Sequence, residues 1–407
     1  KSSLRAAIAS WYPTLNLTAN GLPQYLAGEQ QSFASGQSGT LTKSKISTAN
    51  FAAQLNWNLI DPGRVPEIAS ARDTFEKSRD SYLIALRDLR LSAATAYYDL
   101  QRYDEQVNVG KQSVAASLIS LRDARARYQA GVATKLEVLE AETQLARDQD
   151  ILTGNLNFQA RSRRDLARIT DLPQDVTPTA ASPSRVVGIW QPSLQESIVA
   201  AYAFREELDQ IILDISINNS NANAALSGVQ PVLSIFNNFN AQRFQGQARA
   251  VSPVNTDAYG WTADNTVGLA ATWNIFDGGR ARAQYRRNKQ AADASAYEFA
   301  DQRGKIRLQV EQSFFDLRAN QETIRTTSRE VLSQREALRL ARLRFQAGVA
   351  TQREVVDNQR DLTRAQLRYV DALVDYNITI AELRRYTGLD QVTSCPSLNL
   401  PAEKSQS

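Results

Sequence analysis

Residues 125–134 read RARYQAGVAT and residues 342–351 read RLRFQAGVAT, two segments 217 positions apart that agree at eight of ten residues. The match runs on through Glu137-Val138 against Glu354-Val355. Identity of that density within one chain marks an internal duplication, and repeats have to be recognised before any other feature is read. Gly131 and Gly348 stand where a helix closes in the left-handed conformation, and Thr134 and Thr351 stand where the next helix would be capped. Each segment therefore predicts a tight turn between two helices.

Working outward at the same offset, Tyr97-Tyr98-Asp99-Leu100 aligns with Phe314-Phe315-Asp316-Leu317, and Ile169-Thr170 with Tyr386-Thr387. A shift of one residue pairs Trp57-Asn58-Leu59-Ile60-Asp61 with Trp273-Asn274-Ile275-Phe276-Asp277, and Pro13 pairs with Pro231. The organisation this implies is a first repeat over 1–172, a linker over 173–193, a second repeat over 194–390 and a tail over 391–407. The linker carries four prolines between Pro173 and Pro192 and cannot continue a helix. An amphipathic segment opens the second repeat near Leu194, so the first repeat is expected to have lost most of its own first helix. Lys1 to Ala9 carry neither a Met start nor a secretion signal, which places the true amino terminus upstream or marks it as processed.

No proline falls between Pro66 and Pro173 or between Pro253 and Pro396, and both spans are rich in Ala, Leu, Arg, Gln and Glu. Such spans favour helix. An apolar residue recurs every seventh position: Leu86, Ala93, Leu100, Val107, Val114, Leu121 and Tyr128, then Val310, Leu317, Ile324, Val331, Leu338 and Phe345. A strict period of seven is the signature of coiled-coil-like packing. Beyond each turn the stripe resumes through Val138, Leu145, Leu152 and Leu166, and through Val355, Leu362, Tyr369, Tyr376 and Leu383. Two antiparallel hairpins result, and a helix from Arg64 to Tyr128 would run on the order of 100 Å.

Ahead of each hairpin the period changes to two. Phe51, Ala53, Leu55, Trp57 and Leu59 alternate with polar or small residues, as do Val267, Leu269, Ala271, Trp273 and Ile275. Leu15 and Leu17 continue the pattern upstream, and Val232 to Phe239 is a rougher match. These read as four strands of about ten residues, long enough to cross a bilayer when tilted. A half-buried sheet of a soluble protein shows the same alternation. If the strands do span, four cannot close a barrel and an open edge is forbidden in lipid, so chains must associate. Eight strands fill their interior with side chains, whereas twelve leave a lumen, which favours three chains. Ala27 to Lys45 and Phe244 to Asp264 read as exposed loops, and Trp11, Tyr12, Tyr259 and Trp261 lie where an aromatic belt would sit.

Composition narrows the function. The 407 residues include 47 basic and 43 acidic side chains, interleaved along the helical spans rather than gathered in a basic block, which argues against nucleic acid. No apolar run reaches the length of a transmembrane helix. With no His, no Met and Cys395 alone in a polar tail, no disulfide framework and no transition-metal centre is expected, and no cofactor. Neither a phosphate-binding Gly-rich loop nor a His-based triad is present, so the chain is read as a non-enzyme. A soluble coiled-coil scaffold is the alternative, and paired carboxylates of the glycosidase kind are a weaker third.

The ordered set of strand pairs, hairpins, RxxxG turns (Arg127 to Gly131, Arg344 to Gly348), WNIFDGGR at 273–280 and AELRRYTGL at 381–389 resembles the TolC family of outer-membrane factors, over roughly Ser2 to Leu389. The resemblance implies an α+β membrane protein. Its homotrimer would form a twelve-stranded β-barrel in outer-membrane lipid, four strands per chain, continuous with a long twelve-helix periplasmic α-barrel. It implies a passive efflux or type I secretion duct, served by a periplasmic adaptor protein and an inner-membrane transporter. The adaptor-contacting tips would be Arg127, Gln129, Ala130, Gly131 and Val132 with Arg344, Gln346, Ala347, Gly348 and Val349. A periplasmic gate of inward carboxylates would fall on Glu354 and Asp357, with Glu137 and Glu140 in the first repeat. The chain departs from the family at Phe345 and Ala350, which match an aromatic and a basic residue that lock the closed tip in the best-known member. Lys135 and Arg353 are candidates to replace the missing charge.

Overall fold

The computed structural model describes residues 1–32, 40–248 and 257–390. Cys395 and the tail over 391–407 lie outside the described residues, as do the middles of the two segments read as loops. Element order is α1 (Ser2–Ile8), β1 (Thr14–Ser32), β2 (Thr40–Ile60), α2 (Arg64–Gln129), α3 (Lys135–Ile169), α4 (Leu194–Phe204), α5 (Glu206–Ser227), β3 (Val232–Ala248), β4 (Asp257–Thr272), α6 (Arg280–Gln346) and α7 (Gln352–Thr387). The chain divides into two compact units, one made of 1–79 and 210–298, the other of 80–209 and 299–407.

The first unit is built on an antiparallel sheet in the order β1-β2-β3-β4. Antiparallel partners point to the same face, so the register decides what each face carries. Asn16, Gln54, Asn238 and Thr266 form one row across all four strands, and Asn20, Asn50, Gln242 and Thr262 form another. The opposite face carries Trp57, Ile235 and Leu269 in one row and Leu17, Ala53 and Phe239 in another. The rough alternation of β3 has a cause in Phe236, which shares the row of Thr14 and Asn56 on the polar face. Its ring lies over Gly268, where a Cβ would come within 2.9 Å.

The expected strand length of about ten residues is wrong. The strands run 19, 21, 17 and 16 residues. Much of the two segments read as loops is strand, since Ala27 pairs with Lys45 and Phe244 with Gly260. A ladder is held by backbone hydrogen bonds and continues through Gln, Ser and Thr where no alternation signals it. Conversely, β4 stops at Thr272, so Trp273 and Ile275 lie in the coil before α6. In the first repeat β2 runs on through Trp57 to Ile60. Both tryptophans nevertheless serve one purpose. Trp57 Nε1 donates to the Trp11 carbonyl at 3.0 Å and Trp273 Nε1 to the Val229 carbonyl at 3.1 Å, each tying the end of a strand pair to the segment that leads into it. Helix α5 is held to α2 in this unit by Lys77–Asp214, Ser216–Asp73 and Ser70–Asn221.

The second unit is helical. The seven-residue stripe is buried or half-buried throughout, save Tyr128 at its end, which is exposed. Helix α4 and the first turn of α5 cover the second hairpin, where Ile198 and Ala201 of α4 and Leu208 of α5 pack with Ile306 and Val310. The proline-rich stretch 173–193 has no regular structure, and it is pinned: Asn377 Nδ2 donates to the Arg185 carbonyl, Tyr376 OH to the Gly188 carbonyl, and the Val187 amide to Asn377 Oδ1. A buried charge cluster closes this unit. Arg385 donates to Asp88 and Glu207 at 2.7 Å each, Arg205 also grips Glu207, and Arg87 pairs with Glu206. Burial alone would raise the Glu207 pKa, but Arg205 and Arg385 outweigh it and lower it to about 2.

Candidate functional site: the hairpin turns

Helix α2 ends and α6 ends in the same geometry. The Val132 amide donates to the Arg127 carbonyl and the Gly131 amide to the Tyr128 carbonyl, both at 3.0 Å. Val349 to Arg344 and Gly348 to Phe345 repeat those bonds at the same length. This is the Schellman closure, in which two otherwise unpaired helix-end carbonyls are satisfied by a residue with positive φ. Gly131 has φ +73° and Gly348 φ +74°, and a Cβ at either would meet nothing within 4 Å. Backbone conformation, not space, requires glycine there. Gln129, Ala130, Val132, Gln346, Ala347 and Val349 are all exposed around these turns.

The two turns differ in their side chains. The Arg127 guanidinium lies over the Phe345 ring, 4.3 Å from its centroid, and Nη1 donates to the Phe345 carbonyl at 3.2 Å. Phe345 is 8% exposed, whereas its repeat partner Tyr128 is 47% exposed. Arg344, the counterpart of Arg127, turns instead to Glu354 at 2.8 Å. Thr134 forms a full capping box with Glu137, each side chain meeting the other's backbone amide. Thr351 holds the expected N-cap position but makes no side-chain bond there: the Glu354 amide donates to the Thr351 carbonyl at 3.2 Å, and the Glu354 carboxylate accepts from Arg344 instead of closing a capping box.

The four candidate gate carboxylates are not brought together. Glu137 is engaged in its cap and Glu354 in its pair with Arg344. Glu140 and Asp357, on α3 and α7, approach one guanidinium, that of Arg353, at 4.0 and 3.9 Å; Asp357 also lies 3.2 Å from Arg360. Arg353 thus lies between carboxylates of the two returning helices.

Sequence reasoning missed the polar seam just inside the turns. Asp148, 1% exposed, accepts from Ser117 and Gln144, Gln352 donates to Ser120, and Ser113 bonds Thr363. The signal was the second core position of each heptad: Ser117 and Asp148 lie three residues after Val114 and Leu145, where an apolar residue belongs. Among the described residues there is no cluster able to hold a metal ion, and no helix long and apolar enough to cross a membrane.

A sheet with a polar and an apolar face, joined twice to a very long helical hairpin, is an architecture suited to a membrane channel subunit. The chain belongs to the outer membrane efflux protein family, whose profile matches residues 1–171 and 198–389. It is an outer-membrane efflux channel protein with a large periplasmic part. It is 23% identical over 363 residues to nodulation protein T of Rhizobium leguminosarum bv. viciae, covering 87% of this chain and 72% of that one. It is 22% identical over 354 residues to outer membrane efflux protein BepC of Brucella suis, covering 84% and 72%. Among solved structures, the outer-membrane channel OprN superposes with a TM-score of 0.73 at 18% identity, covering 95% of this chain and 85% of that one. VceC of Vibrio cholerae gives 0.73 at 16%, covering 95% and 89%.

Proposed function

We propose that three copies of this chain assemble into one passive duct, with a twelve-stranded barrel in the outer membrane and a twelve-helix barrel in the periplasm. The observation that carries this is the sheet itself. Its edge strands β1 and β4 have no second partner among the described residues, and one of its faces is apolar. Unpaired backbone groups are not tolerated in lipid, so β4 of one chain must meet β1 of the next until the ring closes. Three chains close it with a lumen lined by the Asn, Gln and Thr rows.

The duct performs no chemistry. Energy comes from an inner-membrane transporter through a periplasmic adaptor protein, which docks on the exposed tips at Gln129 to Val132 and Gln346 to Val349, with Arg127 and Arg344 behind them. Glu354, Asp357, Glu137 and Glu140 form the periplasmic constriction once the threefold axis multiplies each. The two sequence repeats, 1–172 and 194–390, are the paired staves of this wall, joined by the linker. A soluble coiled-coil scaffold is not favoured, since it has no use for a two-faced sheet of this length. Pull-down of an adaptor and transporter from solubilised envelopes tests the assembly; recovery of neither, with an intact trimer in hand, refutes it.

A further inference from the structure

The start of α6 carries charge that the fold does not need. Between Asp277 and Asp293 the chain has no acidic residue and five basic ones: Arg280, Arg282, Arg286, Arg287 and Lys289. Lys289 donates to Asn219, and Arg280 acts on Asp277, whose carboxylate caps the helix by accepting from the Gly279 and Ala281 amides. Arg282, Arg286 and Arg287 are exposed, with no ion pair or hydrogen bond among the described residues. Just before them the coil that follows β4 exposes Trp273, Ile275 and Phe276 at 60%, 76% and 83%.

The duplication supplies an internal control, because the first repeat solves the same strand-to-helix problem without this patch. There Arg64 is 2% exposed, lies over the Trp11 ring and donates to the Asn58 carbonyl. The following turns mix Glu67, Asp73 and Glu76 with Arg72 and Lys77. Nothing in the fold asks for exposed arginines at 282, 286 and 287.

We infer that the corner from Trp273 to Arg287 binds the phosphate of an anionic phospholipid in the periplasmic leaflet. The inference rests on the membrane-spanning sheet proposed above. The corner begins at the residue after Thr272, where β4 stops, and Arg280 to Arg287 cover only about 11 Å of helix. A headgroup layer is about 5–8 Å deep, so these arginines start within it and end just beyond it. Exposed aromatic and aliphatic side chains suit the acyl boundary, and guanidinium groups beyond them form bidentate bonds with phosphate. Each basic residue near an anionic surface strengthens attraction by about fivefold.

The test is native mass spectrometry of the detergent-extracted assembly titrated with phosphatidylglycerol or phosphatidylcholine. Wild type should bind phosphatidylglycerol preferentially. R282Q/R286Q/R287Q should lose that preference by at least about tenfold, and the matching triple lysine variant should keep most of it. Unchanged phosphatidylglycerol binding by the glutamine variant overturns the inference. So does loss of the trimer in that variant, which would make these arginines contacts between protomers. A trimer in the membrane without lipid preference removes only this inference, whereas a chain absent from membranes removes the spanning reading beneath it.

Discussion

Arg127 stacks on Phe345 at 4.3 Å and bonds that residue's own carbonyl, so one side chain ties the end of the first hairpin's outgoing helix to the end of the second's. The aromatic that lacks a phenol hydroxyl is locked through its ring face and its backbone instead. A cation–π contact of this kind contributes roughly 0.5–1 kcal/mol at a partly exposed site. R127Q and F345L should each speed amide exchange around 126–134 and 343–350 by about two- to fivefold, with non-additive effects in the double variant. Additive effects would show that the two residues act separately.

Glycines in this chain divide by φ. Gly131 and Gly348 hold positive φ, and G131A or G348A should destabilise the tip by ~1 kcal/mol. Gly154 and Gly304 lie inside α3 and α6 with room for a Cβ, so G154A and G304A should stabilise by up to ~1 kcal/mol. Thermal denaturation of the four variants checks the opposite signs.

The buried charge cluster makes stability fall in acid. Glu207 titrates at about 2 when folded, against 4.5 for the unperturbed side chain. A depressed carboxylate pKa contributes stability that is fully present above 4.5 and is lost as pH falls from 4.5 toward 2. E207Q should flatten the stability profile over that window. R385A leaves Glu207 to Arg205 alone and Asp88, more than half exposed, to water, and should cost about 1.5–3 kcal/mol at neutral pH.

At the constriction proposed above, removing acid and removing its partner should act in opposite directions. E354A/D357A should raise single-channel conductance and weaken block by divalent cations. R353A takes a cation from Glu140 and leaves Asp357 with Arg360 alone, and should strengthen that block. Planar-bilayer recordings decide both, and unchanged block in either variant would mean that these groups do not line the narrowing.

Helices were legible where local chemistry was strong. Arg64 was marked as the start of α2, and Gly131 and Gly348 as the closures of α2 and α6, because a seven-residue stripe and a left-handed glycine are local signals. The outer halves of the strands were not legible, since Gln24 to Ser32 pair through the backbone and carry no alternation. Trp273 misled for the opposite reason: its alternation with Ala271 continues past the last ladder bond. At the tips the repeat predicted equal roles for Glu137 and Glu354, but a sequence match does not say which neighbour a carboxylate meets. Arg344 takes one, and a capping threonine the other.

The central claim is a closed ring of three chains in the outer membrane. Native mass spectrometry of protein extracted in mild detergent from separated outer membranes tests it most directly. The expected result is a single species of three chains that opens ion-conducting channels when placed in a planar bilayer. A monomer recovered from the soluble fraction, or a membrane species of any other stoichiometry, would contradict it.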